Sequence, residues 1–325
     1  MKEINDELAC IAKAFENSIT QSATATETER PRLTSDAVRS LVSSLTEVGK
    51  QVDGNPQSCK EAREHFRECI YDLSIRGHLW HRGLVKPNGY AGDYVLLDSI
   101  YRNELNGSDA IGQELDRAFL TSPLAETVRC RKEALVKTLL EEIDVAGCGQ
   151  VSFIDLACGP CRDVQDVLSK VQLVTPSFRC IDHDPAALQY ASEVLGPLLM
   201  EDVQLEHGNV LRISGCVTTY PRTSVYSVGL IDYLGDRLAS LAIRKWWKLV
   251  GNQGILVLTA KDRFTYDPTF YDWMADWKFV PRTEKNFVAL LLSATGCSPK
   301  DVCLSRDKTG VSIQGVIKKR SYPKK

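Results

Sequence analysis

VSFIDLACGPCRDV, residues 151–164, combines an apolar strand, a tight turn and the start of a helix. The strand runs into Asp155, and the small residues Ala157 and Gly159 form the turn. Small residues let a ligand approach the backbone, and the N-terminus of the following helix offers free N–H groups. The segment therefore predicts a ligand site at the carboxyl end of a strand.

A second acid follows at a spacing that fits this site. The next predicted strand ends in Ile181-Asp182-His183-Asp184-Pro185, and Asp182 lies 23 residues after Gly159. An acid at the tip of the second strand can accept hydrogen bonds from both hydroxyls of a ribose. The dinucleotide pattern G-x-G-x-x-G fails at Ala157 and Arg162, and G-x-x-x-x-G-K-[ST] does not occur. The residues predict a cofactor that contains adenosine, but neither a dinucleotide nor a P-loop nucleotide.

The pattern after Gln150 indicates an α/β fold. The predicted strands are 151–156, 177–182, 203–207, 225–230, 254–259, 301–305 and 311–317. The first five alternate with helical stretches, which favours a parallel sheet with crossover helices. Only residues 306–310 separate the last two, so they form an antiparallel hairpin at the sheet edge.

The first 145 residues have helical apolar spacing instead, and the Thr- and Ser-rich stretch 21–32 has the composition of a linker. We expect a helical N-terminal cap and substrate domain over 1–123, a cofactor-binding domain over 124–318 and a basic tail over 319–325. The cap should supply much of the substrate pocket, because pockets favour domain junctions.

Composition excludes several classes of function. The 325 residues carry 40 basic and 42 acidic side chains, a formal charge of −2, so no electrostatic footprint for nucleic acid exists. An apolar run long enough to span a membrane is absent, and the acidic N-terminal stretch does not fit a secretory signal. Eleven cysteines without such a signal are expected to be reduced thiols, which predicts a cytoplasmic protein.

These motifs resemble those of the Rossmann-like S-adenosylmethionine (SAM) methyltransferases. Asp155-Leu156-Ala157-Cys158-Gly159 is similar to the first motif of that superfamily, and Asp182 stands where its ribose-binding acid does. Gly208-Asn209-Val210 resembles the motif that meets the adenine amine, although Asp is usual where Asn209 stands. The resemblance implies a seven-stranded sheet with an antiparallel last strand and SAM as cofactor. The cofactor contacts it implies are Asp155, Ala157, Gly159, Asp182, His183, Asn209 and Val210.

A narrower resemblance concerns one bacterial group, the extracellular-factor 3-hydroxypalmitic acid methyl ester biosynthesis proteins. It rests on KPNGYAGDY (86–94), on GLIDYL (229–234) and on the pairs Ser122-Pro123, Val128-Arg129, Asp276-Trp277 and Arg282-Thr283. It implies a methyltransferase acting on a small or fatty carboxylic acid. Similar proteins cyclise SAM to azetidine-2-carboxylate, and the motifs do not separate the two activities.

Further candidates follow from residue type. Gly89 and Gly92 bracket Tyr90 in a loop that we expect to act as a lid, because aromatic faces attract the cationic sulfonium. Arg129 is expected to grip a carboxylate with its planar fork. The predicted catalytic residues are Tyr90, Asp232 and Tyr233, the further cofactor contacts are Arg129, Tyr226 and Gly229, and the substrate contacts are Trp80, Tyr94, Trp273 and Trp277.

Three alternatives compete with this interpretation. Cys158-Gly159-Pro160-Cys161 is the sequence of a thioredoxin redox pair, but a redox role leaves Asp155, Asp182 and Asn209 without a function. Zinc is not expected, because no second C-x-x-C exists. A non-catalytic SAM sensor remains open. The expected partner is a small-molecule substrate, with no nucleic acid and no membrane.

Overall fold

A computed structural model describes residues 1–147, 149–171, 176–213 and 222–319. The contacts of the chain divide it into two units, which are described separately. The helical unit comprises Met1–Glu126 and Asp267–Lys278, and the sheet unit comprises Thr127–Tyr266 and Phe279–Lys325. Within the described ranges, no helix is both long and apolar enough to cross a membrane.

The helices and strands have the following bounds. The helices are α1 (Lys2–Thr24), α2 (Arg30–Val52), α3 (Pro56–Cys69), α4 (Tyr71–Ser74), α5 (His78–Val85), α6 (Tyr94–Arg102), α7 (Ala110–Leu120), α8 (Pro123–Ala146), α9 (Arg162–Leu168), α10 (Pro185–Leu195), α11 (Asp236–Leu249), α12 (Thr269–Ala275) and α13 (Glu284–Thr295). The strands are β1 (Val151–Leu156), β2 (Ser177–Asp182), β3 (Val203–His207), β4 (Arg222–Ser227), β5 (Ile255–Lys261), β6 (Val302–Arg306) and β7 (Ser312–Lys318).

The helical unit is built on amphipathic helices. In α1, Leu8, Ala12, Phe15 and Ile19 recur every three or four residues, and all four are buried. The predicted linker over 21–32 is wrong: α1 continues to Thr24 and α2 begins at Arg30. Proline in the first turn of a helix loses no hydrogen bond, so Pro31 starts α2 and does not interrupt it. Residues 267–278, which the sequence placed in the second domain, contribute α12 to this unit.

The sheet unit has the seven-stranded architecture that the sequence predicted. Strand order is β3-β2-β1-β4-β5-β7-β6; the first five of these strands pair in parallel, and β7 pairs antiparallel with both β5 and β6. Strand β4 spans Arg222–Ser227, three residues earlier than predicted, because the chain turns at Gly229 with φ +110°. The predicted seven-stranded α/β fold is confirmed.

Two apolar layers cover the sheet. Adjacent strand residues point to opposite faces, so Phe153 belongs to the layer under α8, α9 and α10, and Ile154 to the layer under α11 and α13. The chain runs outward from β1 to β3 on one side and from β4 to β6 on the other, and β7 then inserts between β5 and β6. The order of the strands reverses between β1 and β4, and open α/β sheets bind ligands at the carboxyl ends next to such a reversal.

Candidate active site

The turn after β1 takes the left-handed conformation three times. Ala157, Gly159 and Cys161 have φ of 64°, 53° and 52°. A Cβ placed on Gly159 would meet no atom within 4 Å, so open space lies over this residue. The N–H groups of Ala157 and Cys158 bond to the carbonyl of Ile181, at 2.8 and 3.2 Å, which ties the turn to the end of β2.

Asp182 holds the same turn through its side chain. It is 5% exposed; one carboxylate oxygen accepts the Gly159 N–H at 2.9 Å, and the other accepts the Asp184 N–H at 3.0 Å. The Nδ1 of the exposed His183 ring lies 3.2 Å from Asp182 Oδ1. The sequence predicted that the turn with Gly159 and the end of β2 with Asp182 belong to one site. Hydrogen bonds join these two segments in the structure.

The segment after β3 reaches the same edge. The Gly208 N–H donates to the carbonyl of Asp182 at 2.8 Å, and Asn209 is exposed. The side-chain oxygen of Asn209 accepts the Leu211 N–H at 2.9 Å. Val210 is buried, and its carbonyl accepts the indole N–H of Trp246 at 2.9 Å. Asn209 thus stabilises its own turn through its side-chain oxygen. An adenine amine would have to donate to this same oxygen.

Two acids lie at the start of the site, the buried Asp155 and the half-buried Asp163. Burial, followed by the neighbouring charges of Asp163 and Asp182, raises the pKa of Asp155 well above its ordinary value. Burial also raises the pKa of Asp163. Tyr226, which is opposite Asp155 in the β1–β4 register, lies beside both carboxyl groups and opposes these shifts. A cation bound here would relieve the repulsion between the two acids.

A second cluster lies after β4 and β5 and consists of Arg131, Asp232 and Lys261. The Asp232 carboxylate is 1% exposed; its Oδ1 accepts the Lys261 backbone N–H at 3.0 Å. Its Oδ2 lies 3.4 Å from Lys261 Nζ and 3.5 Å from Arg131 Nη1. The Arg131 guanidinium also lies against Gly229, where an added Cβ would come within 2.8 Å of it.

Burial lowers the pKa of Lys261 to about 8, and the positive charge of Arg131 acts in the same direction. Asp232 and, more weakly, Asp307 oppose this effect. The Lys261 ammonium lies 4.6 Å from the centre of the Phe279 ring, which in turn packs against Tyr233 at 5.2 Å. Tyr233 is 42% exposed, so it is the accessible member of this aromatic group.

The predicted tryptophans lie in the core of the helical unit. Trp80, Trp273 and Trp277 are 1–3% exposed. The Trp80 indole donates to the Met274 carbonyl at 3.0 Å, Trp273 packs edge-on against Phe66, and Trp277 stacks on Phe119. Aromatic packing accounts for all three positions, and their predicted substrate contacts stay a prediction.

The predicted lid belongs to the helical unit as well. Tyr90 and Tyr94 are both half-buried. Asp93 caps α6 by accepting the Leu96 N–H at 2.9 Å, and its carboxylate pairs with Arg82 at 2.7 Å. A lid function for the tyrosines stays a prediction, as does the carboxylate contact of the half-buried Arg129.

The cysteines of the turn are buried thiols. A hydrogen bond from Cys161, together with burial, raises the pKa of Cys158 well above its ordinary value. Cys180 shares a hydrogen bond with Cys161 that lowers its pKa, yet burial and neighbouring charges raise that pKa to about 12. A redox pair needs an accessible thiol of low pKa. These properties are the opposite of those that the thioredoxin interpretation requires.

The sequence matches the model of a known protein family. The model of a family described as "Putative methyltransferase" matches residues 70–262, which is more than half of the sequence. The chain belongs to this methyltransferase family. No curated protein matches it in sequence.

One solved structure shares the fold over nearly the whole chain, and two others are similar to part of it. One described as a possible exported protein from Bordetella parapertussis has a TM-score of 0.59 at 15% identity and covers 98% of this chain and 97% of its own. Magnesium protoporphyrin IX methyltransferase from Synechocystis PCC 6803, with bound SAM, has a TM-score of 0.44 at 12% identity and covers 61% and 84%. The same enzyme with bound SAH reaches 0.46 at 13% identity and covers 61% and 87%.

Sequence reasoning missed two members of the second cluster. Neither Arg131 nor Lys261 was among the residues predicted from the sequence. A usable signal existed, because Lys261 is a charged residue at the end of the wholly buried strand β5. A charge at the carboxyl end of such a strand needs a partner, and Asp232 provides it.

Proposed function

We propose that this methyltransferase transfers the methyl group of SAM to an oxygen of a small or fatty carboxylic acid. The family supports methyl transfer as the reaction. The cofactor and the acceptor are inferred from the two clusters at the carboxyl ends of the strands. A role in secondary metabolism or in making a signalling molecule is part of the same proposal.

Cofactor binding is assigned to the turn after β1 and its neighbours. Asp182 would accept hydrogen bonds from the ribose hydroxyls, since its carboxylate is already held beside Gly159 at 2.9 Å. The open space over Gly159 leaves room for the nucleoside, and Asn209 and Val210 would border the adenine.

The state of Asp232 is the observation that carries the choice of acceptor. Both of its oxygens are engaged by Lys261 and Arg131, so it is a poor general base. Lys261, with a pKa of about 8, is mostly protonated at neutral pH and is no base there either. A hydroxyl or amine acceptor needs its proton removed, whereas a carboxylic acid is already ionised at pH 7. An acceptor of the second kind fits this site.

The residues would act by orientation and exclusion of water. Bound SAM supplies an electrophilic methyl group on its sulfonium. Arg131 and Lys261 would favour an anionic acceptor near Asp232, and the half-exposed Tyr233 would border it. The carboxylate oxygen forms a bond to the methyl carbon while the bond from sulfur to that carbon breaks, so no proton is transferred. Alignment and dehydration are the recognised contributions of an enzyme to such a step.

The first experiment is mass spectrometry of the purified protein with SAM alone and then with a panel of carboxylic acids. We expect unchanged SAM in the first case and S-adenosylhomocysteine plus a methyl ester in the second. The matching amides and alcohols should be inert. Between about pH 6 and 7.5 the rate should be flat, because an acceptor with a carboxylic pKa is fully ionised there.

Other outcomes would replace the proposal. Methylthioadenosine and azetidine-2-carboxylate from SAM alone would make the protein a SAM cyclase. SAM binding without turnover on any acid would favour a sensor. The variant Asp182→Asn should weaken SAM binding, whereas the exposed Asp202→Asn serves as the matched control. Equal SAM binding by both variants would contradict the assignment of Asp182.

A further inference from the structure

Thiol and carboxyl groups from three segments converge beside the turn after β1. Asp155 lies on β1, Cys161 precedes α9 and Cys180 lies on β2. One ligand atom from each, a carboxylate oxygen or a sulfur, lies within 4.8 Å of the other two. Cys161 and Cys180 are fully buried and Asp155 is 4% exposed. The grouping is not evident from the sequence, because α9 separates β1 and β2 along the chain although the two strands are paired in the sheet.

A third thiol lies next to this set, although it is not within ligand distance of all three members. Cys158 is 7% exposed and shares a hydrogen bond with Cys161, which in turn bonds to Cys180. Three sulfur atoms therefore form a continuous row that ends near a carboxylate. Soft and borderline-soft metal ions prefer this combination of ligands over the oxygen-only sets that suit magnesium or calcium.

The backbone at Cys161 is a further sign. Its φ of 52° is a left-handed value that glycine adopts freely and that other residues adopt at a cost. The chain carries a thiol at a position where the conformation favours a residue without a side chain. A thiol that binds a ligand would account for the residue found there.

The electrostatic environment also favours a cation. Asp163 and Asp182 both act on Asp155 with like charge, and the positive charge of Lys132 acts on Asp163. Adding a divalent cation would neutralise this group of acids.

We propose that Asp155, Cys161 and Cys180 bind one zinc ion, with a water molecule as the fourth ligand. Zinc–sulfur bonds of about 2.3 Å in a tetrahedron place two sulfur atoms about 3.8 Å apart, within the observed limit. Each coordinating thiol releases its proton to solvent as its bond to zinc forms. Neither oxidant nor reductant takes part. Asp155 would then bind zinc instead of contacting SAM, so the metal titration below is made without SAM.

The test is titration of the full-length reduced protein with Co²⁺ alone, followed by displacement with Zn²⁺. Tetrahedral cobalt bound to thiolates shows sulfur-to-cobalt charge-transfer bands in the near ultraviolet and d–d bands in the visible. We expect these bands to saturate at one equivalent and to disappear when Zn²⁺ is added. Both the wild type and the control Cys130→Ala, which removes a buried thiol of α8, should behave in this way.

Two variants assign the ligands. Cys161→Gly suits the backbone at φ 52° and should fold normally, and Cys180→Val replaces a thiol in β2 with an apolar side chain of β-strand preference. Each should weaken cobalt binding by at least about 100-fold, since loss of a supporting residue alone costs 10–100-fold. Circular dichroism melting confirms that the variants are folded.

Two results would overturn the proposal. One is a wild-type protein that shows no thiolate–cobalt band at saturating Co²⁺. The other is a band of wild-type strength in a folded Cys161→Gly or Cys180→Val variant, which would place the metal at other cysteines.

Discussion

Lys261 is a charged side chain that is almost completely removed from water. It ends a strand in which every residue is buried, and it is itself 1% exposed. Asp232 stabilises its charge, while burial and Arg131 destabilise it, and the balance sets its pKa at about 8. The charge of a single lysine therefore changes within a pH range that is accessible to experiment.

Replacing Lys261 with methionine should change how stability depends on pH. The folded pKa of about 8 is lower than the ordinary 10.5, so between these values the unfolded chain binds more protons. The free energy of unfolding of the wild type should therefore rise relative to that of Lys261→Met between pH 8 and 10, by up to about 1.4 kcal/mol per pH unit. Chemical denaturation at pH 7, 8, 9 and 10 measures it.

The Lys261→Met variant also removes the ion-pair partner of Asp232. This loss lowers its free energy of unfolding by about the same amount at every pH, so it does not create a difference in slope between the two curves. Parallel curves for the two proteins over that range would show that Lys261 keeps an ordinary pKa. The exposed Lys278→Met, in the helical unit, serves as a control whose curve should follow the wild type.

Among the elements, α6 shows how one side chain can serve two structural purposes. Asp93 caps the helix through the Leu96 N–H and pairs with Arg82 on α5. It belongs to the glycine-rich segment 86–94, which the sequence linked to catalysis. Its 1% exposure and its two partners indicate that it holds the end of this segment in place.

The variants Asp93→Asn and Asp93→Ala separate the two contributions. Asparagine can still cap the helix but carries no charge for Arg82, whereas alanine does neither. We expect alanine to be less stable than asparagine by about 1 kcal/mol, the usual effect of losing a cap. Thermal melting measures the difference, and equal stability of the two variants would contradict the capping role.

The elements also show how far the sequence could be interpreted. Strands β1, β2 and β3 were predicted to the residue, because apolar runs bounded by turns define them without help from the rest of the fold. The predicted linker failed because helix formation in α1 depends on buried Leu8 and Phe15, whose packing outweighs the polar composition near its end. Local composition does not report such packing.

Candidate residues divide in the same way. Asp155, Gly159 and Asp182 were predicted together, because strand ends and turns fix their positions. Arg131 and Lys261 approach Asp232 from α8 and β5, and the thiols of Cys161 and Cys180 come from the turn before α9 and from β2. Such groupings depend on which strands become neighbours, and sequence spacing does not contain that information.

On the scale of the whole molecule, the course of the chain is discontinuous. Residues 267–278 leave the sheet unit and supply α12 to the helical unit, then the chain returns to form α13 and the last two strands. The buried rings of Phe270 and Trp273 are thus separated by more than 100 residues from Phe66 and Phe119, against which they pack. The core of the helical unit is incomplete without them.

Trp273→Ala should destabilise the helical unit by roughly 3–5 kcal/mol, the usual cost of removing a large buried aromatic side chain. Trp273→Phe keeps much of the contact with Phe66 and should cost clearly less. Limited proteolysis with mass spectrometry checks this, since cleavage should increase within α1–α7. If cleavage in α1–α7 is unchanged for Trp273→Ala, this core does not depend on α12.

Strand β7 has a consequence for the synthesis of the protein. It is the last strand in chain order, yet it lies between β5 and β6 and pairs with both. While the ribosome is still translating the segment before Ser312, β5 has an unpaired edge and β6 has no neighbour. The sheet cannot be completed during most of translation. The nascent chain therefore exposes an unpaired, aggregation-prone strand edge until residue 318 has emerged. Protection by a chaperone at this late stage would matter more for this protein than for one whose edge strands are made last.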